Sequence, residues 1–342
     1  MEGRGMNHVP RHVLVTGGAG FIGSNFVACL LAGDPGVRVV NLDLMTYAAD
    51  PGILPRLDAS GRHVFVHGDI CDAELVARLL REHEVDTIVH FAAETHVDRS
   101  ISGPGDFVRT NVDGTFVLLE AARQAWLAEG RSAQGRRFHH ISTDEVYGSL
   151  GPDDTPFTES SPYAPNSPYS ASKAASDHLV RAYHRTYGLP VVTTHCSNNY
   201  GPYQHDEKFI PTIIRCCLAG EPIPVFGTGG NSRDWLYVDD HCRGIAQVLR
   251  NGRTGETYNI GGGCELNNIE VAEKVCAMMD ERHPEGAPHR RLISFVADRP
   301  GHDWRYAIDA GKMRDELGWV PKESFDGAMS KTLAWYLARP AV

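Results

Sequence analysis

Residues 16 to 26 read TGGAGFIGSNF, and they decide the fold. The run HVLVT (12 to 16) leads into them, and an apolar helical stretch, 21 to 32, leaves them. Between the two, Gly17, Gly20 and Gly23 are spaced by threes. Glycine lets the turn tighten and lets the backbone approach a pyrophosphate, whose charge is stabilised by the free N–H groups of the helix N-terminus. A glycine triplet alone is weak evidence. Here a strand precedes it, a helix follows it, and a carboxylate stands about 20 residues on, as dinucleotide sites require: Asp43, at the end of VRVVNLD. Asp43 can accept ribose hydroxyls and repel a 2′-phosphate, and Leu44 and Met45 supply no cation to offset that repulsion. The expected cofactor is therefore NAD rather than NADP.

Runs of the same kind recur as VRVVNLD (37 to 43), HVFVHGD (63 to 69), DTIVHFAA (86 to 93), FHHIST (138 to 143) and PVVTTHC (190 to 196). Helix candidates lie between them near 72 to 82, 106 to 129 and 169 to 187. Strands too continuously apolar for a half-exposed sheet, alternating with helices, describe an α/β, Rossmann-like, doubly wound parallel sheet covered on both faces. After residue 197 the pattern changes to shorter pieces rich in Gly, Pro and Asn, such as NNYGPYQHDEKFIP and YNIGGGCELNNIEVAEKV. Such loops suit a smaller C-terminal α/β lobe that closes over a substrate. The expected division is an NAD-binding domain over 11–196 and mainly a substrate lobe over 197–342, with possible chain exchange between them.

The 342 residues carry a formal net charge of −10, which argues against nucleic acid as a partner, since phosphate backbones need a basic face. An anionic small ligand would need a local basic pocket instead. The first residues, MEGRGMNHVPRH, lack the apolar core of a signal peptide, and no apolar run approaches a membrane span, so a cytoplasmic protein without a membrane partner is expected. Eight cysteines show no CxxC spacing and there is no HExxH, which fits reduced thiols and no metal site.

Two stretches carry chemistry. YSASK places Tyr169 and Lys173 four apart, on one face of a helix. The pair arises often by chance, and surface packing is the alternative. Downstream of a dinucleotide fingerprint, an ammonium and a cationic nicotinamide are expected to lower the phenol's pKa. Tyr169 can then take the proton of a substrate hydroxyl held by Thr143 while hydride leaves the same carbon. STDEVYG (142 to 148) adds Asp144 and Glu145, which alone could be an ordinary strand exit. Neighbouring strand residues face opposite ways, so both acids reach one substrate only if the strand ends there, as Gly148 permits. Beside a new ketone, a base for the adjacent C–H and an acid for a departing hydroxyl would eliminate water. Paired carboxylates can fill both roles because ionising one disfavours ionising the other.

Taken together, TGGAGFIGS, FAAETHVDRSI, STDEVYG, YSASK, CSNNYGPYQHDEKFIP, RDWLYVDDH and ADRPGHDWRYAID make residues 11 to 337 resemble the dTDP-glucose 4,6-dehydratases of the extended short-chain dehydrogenase/reductase family. The resemblance implies C4 oxidation of a dTDP-sugar with Tyr169 as base, assisted by Lys173 and Thr143. Glu145 would then remove the C5 proton, Asp144 would protonate the departing C6 hydroxyl, and hydride would return to C6. It also implies that Phe21, Ile22, Asp43, Thr46, Asp69, Ile70, Ala92, Ala93, Thr110 and Asn199 line the NAD site with the glycines. The sugar nucleotide would be lined by Thr95, Asn198, Glu207, Lys208, Phe209, Pro224, Phe226, Arg233, Asn268, Asp298, Arg299 and His302, with Arg233 and Lys208 suited to a diphosphate and Phe226 to a pyrimidine. A homodimer through helices matching 106 to 129 and 169 to 187 follows from the same resemblance.

Each substrate residue also has an ordinary alternative: Arg233 in an ion pair with Asp234, Phe226 in a core, Asp298 and Arg299 tying their own loop. The chain departs from the family pattern at Ala49, Asp50, Thr95 and His195, the last standing where asparagine is frequent. Rival functions are a nucleotide-sugar 4-epimerase or decarboxylase, which would not need the acid pair, and a non-catalytic NAD-binding sensor.

Overall fold

The computed structural model describes residues 7–128 and 132–339. Its thirteen described strands are β1 (His12–Thr16), β2 (Arg38–Asp43), β3 (His63–His67), β4 (Thr87–His90), β5 (Arg137–Thr143), β6 (Val191–Cys196), β7 (Asn198–Tyr200), β8 (Ile223–Phe226), β9 (Ser232–Tyr237), β10 (Thr257–Ile260), β11 (Glu265–Asn267), β12 (Ile293–Val296) and β13 (Arg305–Tyr306). Seven of them form one parallel sheet in the order β10-β6-β5-β4-β1-β2-β3. The strand order reverses between β1 and β4, and the crevice at the carboxyl ends there is where such sheets bind ligands.

Helices cover both faces. Phe21–Gly33 and Val238–Asn251 pack on one side, over a core that runs on into the C-terminal residues. Ala73–Glu82, Gly114–Leu127 and Pro168–Tyr187 pack on the other, around Leu14, Ile88, Leu118 and Phe138. The inner strands β1, β4, β5 and β6 are buried on both faces, as their apolar runs require, whereas the edge strand β3 leaves Val64 and His67 exposed. A smaller sheet, β11-β9-β13 with β7 paired to β9, and the two-stranded β12-β8 lie beyond it.

Two details differ from the sequence reading. The seventh strand, β10, is drawn from residues 257–260 and lies beyond the boundary expected at 196; four residues before a run of three glycines give too short a signal to separate from a loop. The helix expected over 106 to 129 is three pieces: Pro104–Phe107, a π-helical segment Val108–Asp113, and Gly114–Leu127, with residue 129 outside the described residues. The wider turn lets buried Asn111 reach across the chain, its Oδ1 accepting from Glu94 N–H at 2.8 Å and its Nδ2 donating to Ser172 Oγ at 2.8 Å. By contrast Pro168–Tyr187 begins and ends where its sequence says. Ser167 caps it in a box with Ser170, Pro168 follows, and Gly188 closes it in the left-handed region at φ 73°.

Candidate active site

A single cavity at the carboxyl ends of the large sheet is lined from β1 across to β6 and the loop beyond. Its floor is the glycine turn. Gly17 has φ +73°, and a Cβ there would fall 2.6 Å from Ala92 N; a Cβ on Gly23 would fall 2.2 Å from the Gly17 carbonyl. Only glycine permits this approach, which leaves a bare backbone cradle before the helix Phe21–Gly33. Asp43 closes the end of β2, with Oδ2 accepting from Ala19 N–H at 2.9 Å and Oδ1 from Met45 N–H at 2.8 Å. The bonds pin the carboxylate over the turn, where a ribose would sit. Cradle and carboxylate fit a dinucleotide.

The structure brings all the expected cofactor residues to this cavity: Gly17, Gly20, Phe21, Ile22, Gly23, Asp43, Thr46, Asp69, Ile70, Ala92, Ala93, Thr110, Tyr169, Lys173 and Asn199. Thr95, Thr143, Asp144, Glu145, Asn198, Glu207 and Lys208 line it too. Sequence reasoning missed Glu94, Ser142, Cys196, Ser197, Gln204 and His205 on the same wall. The ends of β5 and β6 announce two of these, since Ser142 and Cys196 stand where parallel strands stop at the crevice.

At that end β5 stops at Thr143, and Asp144–Tyr147 form one 3₁₀ turn. The turn brings the two acids onto one wall, and the Thr143 hydroxyl accepts from Glu145 N–H at 3.3 Å. Gly148, at φ +95°, exits against the Ala164 carbonyl, only 2.4 Å from where a Cβ would lie. Asp144 is 2% exposed and its Oδ2 has no hydrogen-bond partner. Burial, then Glu145 and Asp234, push its carboxyl well above the usual range, with Arg233 opposing. Burial also raises Glu145, but three cations, Arg233, Arg299 and Lys208, oppose it. The two acids are thereby set apart: Asp144 is pushed up with one foremost cation opposing, while three cations oppose the rise of Glu145.

Tyr169 and Lys173 are both buried on the helix Pro168–Tyr187, and Lys173 Nζ donates to the Ile141 carbonyl at 2.9 Å. The expected lowering of the phenol is not what the polypeptide alone produces. Burial, followed by Glu145, holds Tyr169 well above its ordinary value, and the Thr143 hydrogen bond opposes this. A cationic ring bound beside it is the missing part of that expectation.

The remaining expected substrate residues, Phe209, Pro224, Phe226, Arg233, Asn268, Asp298, Arg299 and His302, do not line this cavity. Phe209 opens the helix Phe209–Ala219, Asn268 opens Asn268–Arg282, and Pro224 lies on β8. Arg233 is buried, with its guanidinium 4.5 Å over the Tyr306 ring and Nη2 donating to the Asp303 carbonyl at 3.0 Å. It is not the partner of Asp234, whose oxygens accept from the Gly262 and Cys264 N–H groups at 2.9 and 2.8 Å. Arg299 Nη1 donates to Asp98 Oδ1 at 3.0 Å, His302 Nδ1 lies 2.6 Å from Asp298 Oδ1, and the Phe226 and His302 rings meet edge-on at 6.1 Å. Asp50, one of the departures, bonds its own turn at Gly52 N–H (2.9 Å) and Arg339 Nη2 (3.1 Å).

Comparison with known proteins agrees with this geometry. Residues 14–332 match the GDP-mannose 4,6 dehydratase family model. The dTDP-glucose 4,6-dehydratase of Xanthomonas campestris pv. campestris (strain B100) is 59% identical over 327 residues, 95% of this chain and 92% of that one. The structure of DesIV, a dTDP-glucose 4,6-dehydratase from Streptomyces venezuelae with NAD bound, superimposes with a TM-score of 0.87 at 52% identity, covering 95% of this chain and 97% of that one. A UDP-glucose 4-epimerase from Thermotoga maritima has a similar TM-score, 0.84, but only 27% identity, covering 95% of this chain and 98% of that one. Fold is thus shared with epimerases, while sequence sides with dehydratases, and the chain belongs to the GDP-mannose 4,6 dehydratase family, among its dTDP-glucose 4,6-dehydratases.

Proposed function

We propose that this protein is an NAD-dependent dTDP-glucose 4,6-dehydratase, a hydro-lyase that releases water and yields dTDP-4-dehydro-6-deoxy-glucose. The observation that carries it is the acid pair on the wall that holds Tyr169: Asp144, buried with an unpartnered Oδ2 and its carboxyl pushed well up by burial, beside Glu145, whose rise three cations oppose. An epimerase has no use for that pair.

Held by the glycine cradle and Asp43, NAD would supply the acceptor for the C4 hydride and the donor of that hydride to C6. Tyr169 takes the C4 hydroxyl proton, with the Thr143 hydroxyl orienting that group and the Lys173 ammonium favouring the phenolate. Glu145 removes the C5 proton, acidified by the C4 ketone, and Asp144 gives its proton to the C6 oxygen as it leaves. Lys208 on the cavity wall, with Arg233 and Arg299 acting at longer range through the same region as Glu145, would supply the positive charge that an anionic diphosphate needs in a chain of net charge −10. Residues 11–196 would mainly hold the cofactor and 197–342 the sugar nucleotide. The exchange runs both ways, with Thr95 and Thr143 facing the substrate and Asn199 the cofactor.

We further infer a homodimer through the helices 104–127 and 168–187, supported by the exposed Val108, Phe116 and Tyr187 on them. A cytoplasmic site of action is supported by eight unpaired cysteines, five of them buried. Among the described residues no helix is long and apolar enough to cross a membrane.

The test is incubation with dTDP-glucose in D₂O, followed by NMR and mass spectrometry, for the wild type and Glu145→Gln. Loss of water with one deuterium at C5 is expected of the wild type. Glu145→Gln should lose about 10²–10⁴-fold in turnover, as removal of a general base does. Unchanged turnover in that variant would favour the epimerase or decarboxylase chemistry.

A further inference from the structure

One turn past Lys173, on the same helix face, stands Asp177, 5% exposed. A carboxylate buried so deeply must be compensated. The sheet beneath and the loop before the helix supply the compensation. His195 Nε2 and the Tyr163 hydroxyl each lie 3.0 Å from Asp177 Oδ2, and His140 Nε2 lies 3.1 Å from Oδ1, off the hydrogen-bonding axis.

The protons of this cluster can be counted. Asn259 Nδ2 donates to the Phe157 carbonyl at 3.1 Å, which turns its Oδ1 towards the Tyr147 hydroxyl, 2.9 Å away. Tyr147 has one proton and gives it to that oxygen. The same hydroxyl lies 2.7 Å from His195 Nδ1, so the nitrogen is the donor in that contact. Nε2 lies 3.0 Å from both Asp177 Oδ2 and the Tyr163 hydroxyl; that hydroxyl gives its one proton to Oδ2, and a carboxylate oxygen only accepts, so Nε2 carries a proton as well. Both ring nitrogens are protonated, and His195, 1% exposed, is an imidazolium. An asparagine amide can donate to Asp177 but brings no charge.

The effect reaches the reaction through Lys173. Burial works against its ammonium, and Asp177 is the foremost group favouring it. We propose that Asp177, held as an anion by a doubly protonated His195, is a positioning residue: it keeps the buried Lys173 charged beside Tyr169. The proposal rests on the reading of Tyr169 and Lys173 as the oxidising pair.

The other titratable groups around the cluster are accounted for. His140 is pushed down to about 4, and His90, its ring 5.4 Å away, is also held neutral by burial. Tyr147 and Tyr163 are pushed up and stay phenols. His178 lies against the far side of Tyr163, at 5.2 Å between rings, and Glu159 accepts the Asn259 N–H at 2.8 Å. Asp144 and Cys196 bound it on the cavity side, both pushed up by burial.

Asp177→Asn keeps the shape and removes the charge. Without it Lys173 loses its proton at lower pH, so the alkaline limb of the kcat profile should move down by about one pH unit or more. At a pH above the wild-type limb kcat should fall about tenfold while KM for dTDP-glucose stays within twofold. In parallel, ¹⁵N-histidine NMR of the wild-type protein with NAD, assigned by loss of the signal in His195→Asn, should show both His195 nitrogens protonated at pH 7.5. A wild-type profile in Asp177→Asn, or a neutral His195, would overturn the proposal. The NMR needs no turnover, so a wild-type protein inactive on dTDP-glucose would overturn the function alone.

Discussion

Asp144 and Glu145 are neighbours in the chain, but their surroundings differ. An unpaired oxygen on a buried acid is a destabilising feature that a fold keeps only at a site of use. The sign of its pH dependence follows. An unfolded aspartate ionises near 4, whereas the folded one holds its proton to higher pH, so the folded state binds that proton more tightly. Stability from this group is full below pH 4 and is lost as pH rises towards the folded value. Asp144→Asn should therefore be more stable than wild type at pH 8 by about 1 kcal/mol, seen as a rise in Tm of about 2 °C, with the gain shrinking towards pH 4. Activity should be lost in the same variant. That two acids stand together was legible in STDEVYG, but which one is the harder to ionise was not. That difference is set by Asp234, Arg233 and Arg299, which lie 88 to 155 positions away in sequence and arrive only through the fold.

At the scale of elements, the glycine turn is read directly from its residues because every requirement on it is local: a strand, a tight turn, a helix. Gly17→Ala would place a Cβ against Ala92 and force φ +73° on a residue that resists it. The expected loss is about 1–3 kcal/mol of stability. Thermal melts with and without NAD should also show the upward shift in Tm that the ligand gives the wild type reduced or absent in the variant. Six strands of the large sheet were legible for the same local reason, being short apolar runs with turn signals around them. β10 was not, since its four residues become a strand only by pairing with β6, Thr257 beside Thr193 through Ile260 beside Cys196. The π segment was hidden too. Nothing in VRTNVD forbids an α-helix, and the wider turn exists to seat Asn111 against Glu94 and Ser172. The Tyr147–His195–Asp177 contacts are of that kind as well, joining three elements whose sequences do not mention one another.

For the whole molecule, the proposed pairing of two copies is testable without substrate. Phe116 projects from the helix Gly114–Leu127 with nearly half its surface open, and Phe116→Arg should shift sedimentation from a dimer to a monomer while each copy keeps its fold. Across the molecule, the contact of Asp98 with Arg299 joins the first half of the chain to the last loops, and the acid pair lies where the two meet. The same intertwining governs how the polypeptide is made. Synthesis delivers β1 to β6 first, and the sheet then waits for β10, which follows only after the whole stretch from Cys196 to Thr257 has been translated. Throughout that interval the outer edge of β6 offers its unpaired backbone to any neighbouring nascent chain, so the ribosome-bound intermediate, rather than the finished enzyme, is the form most in need of a chaperone.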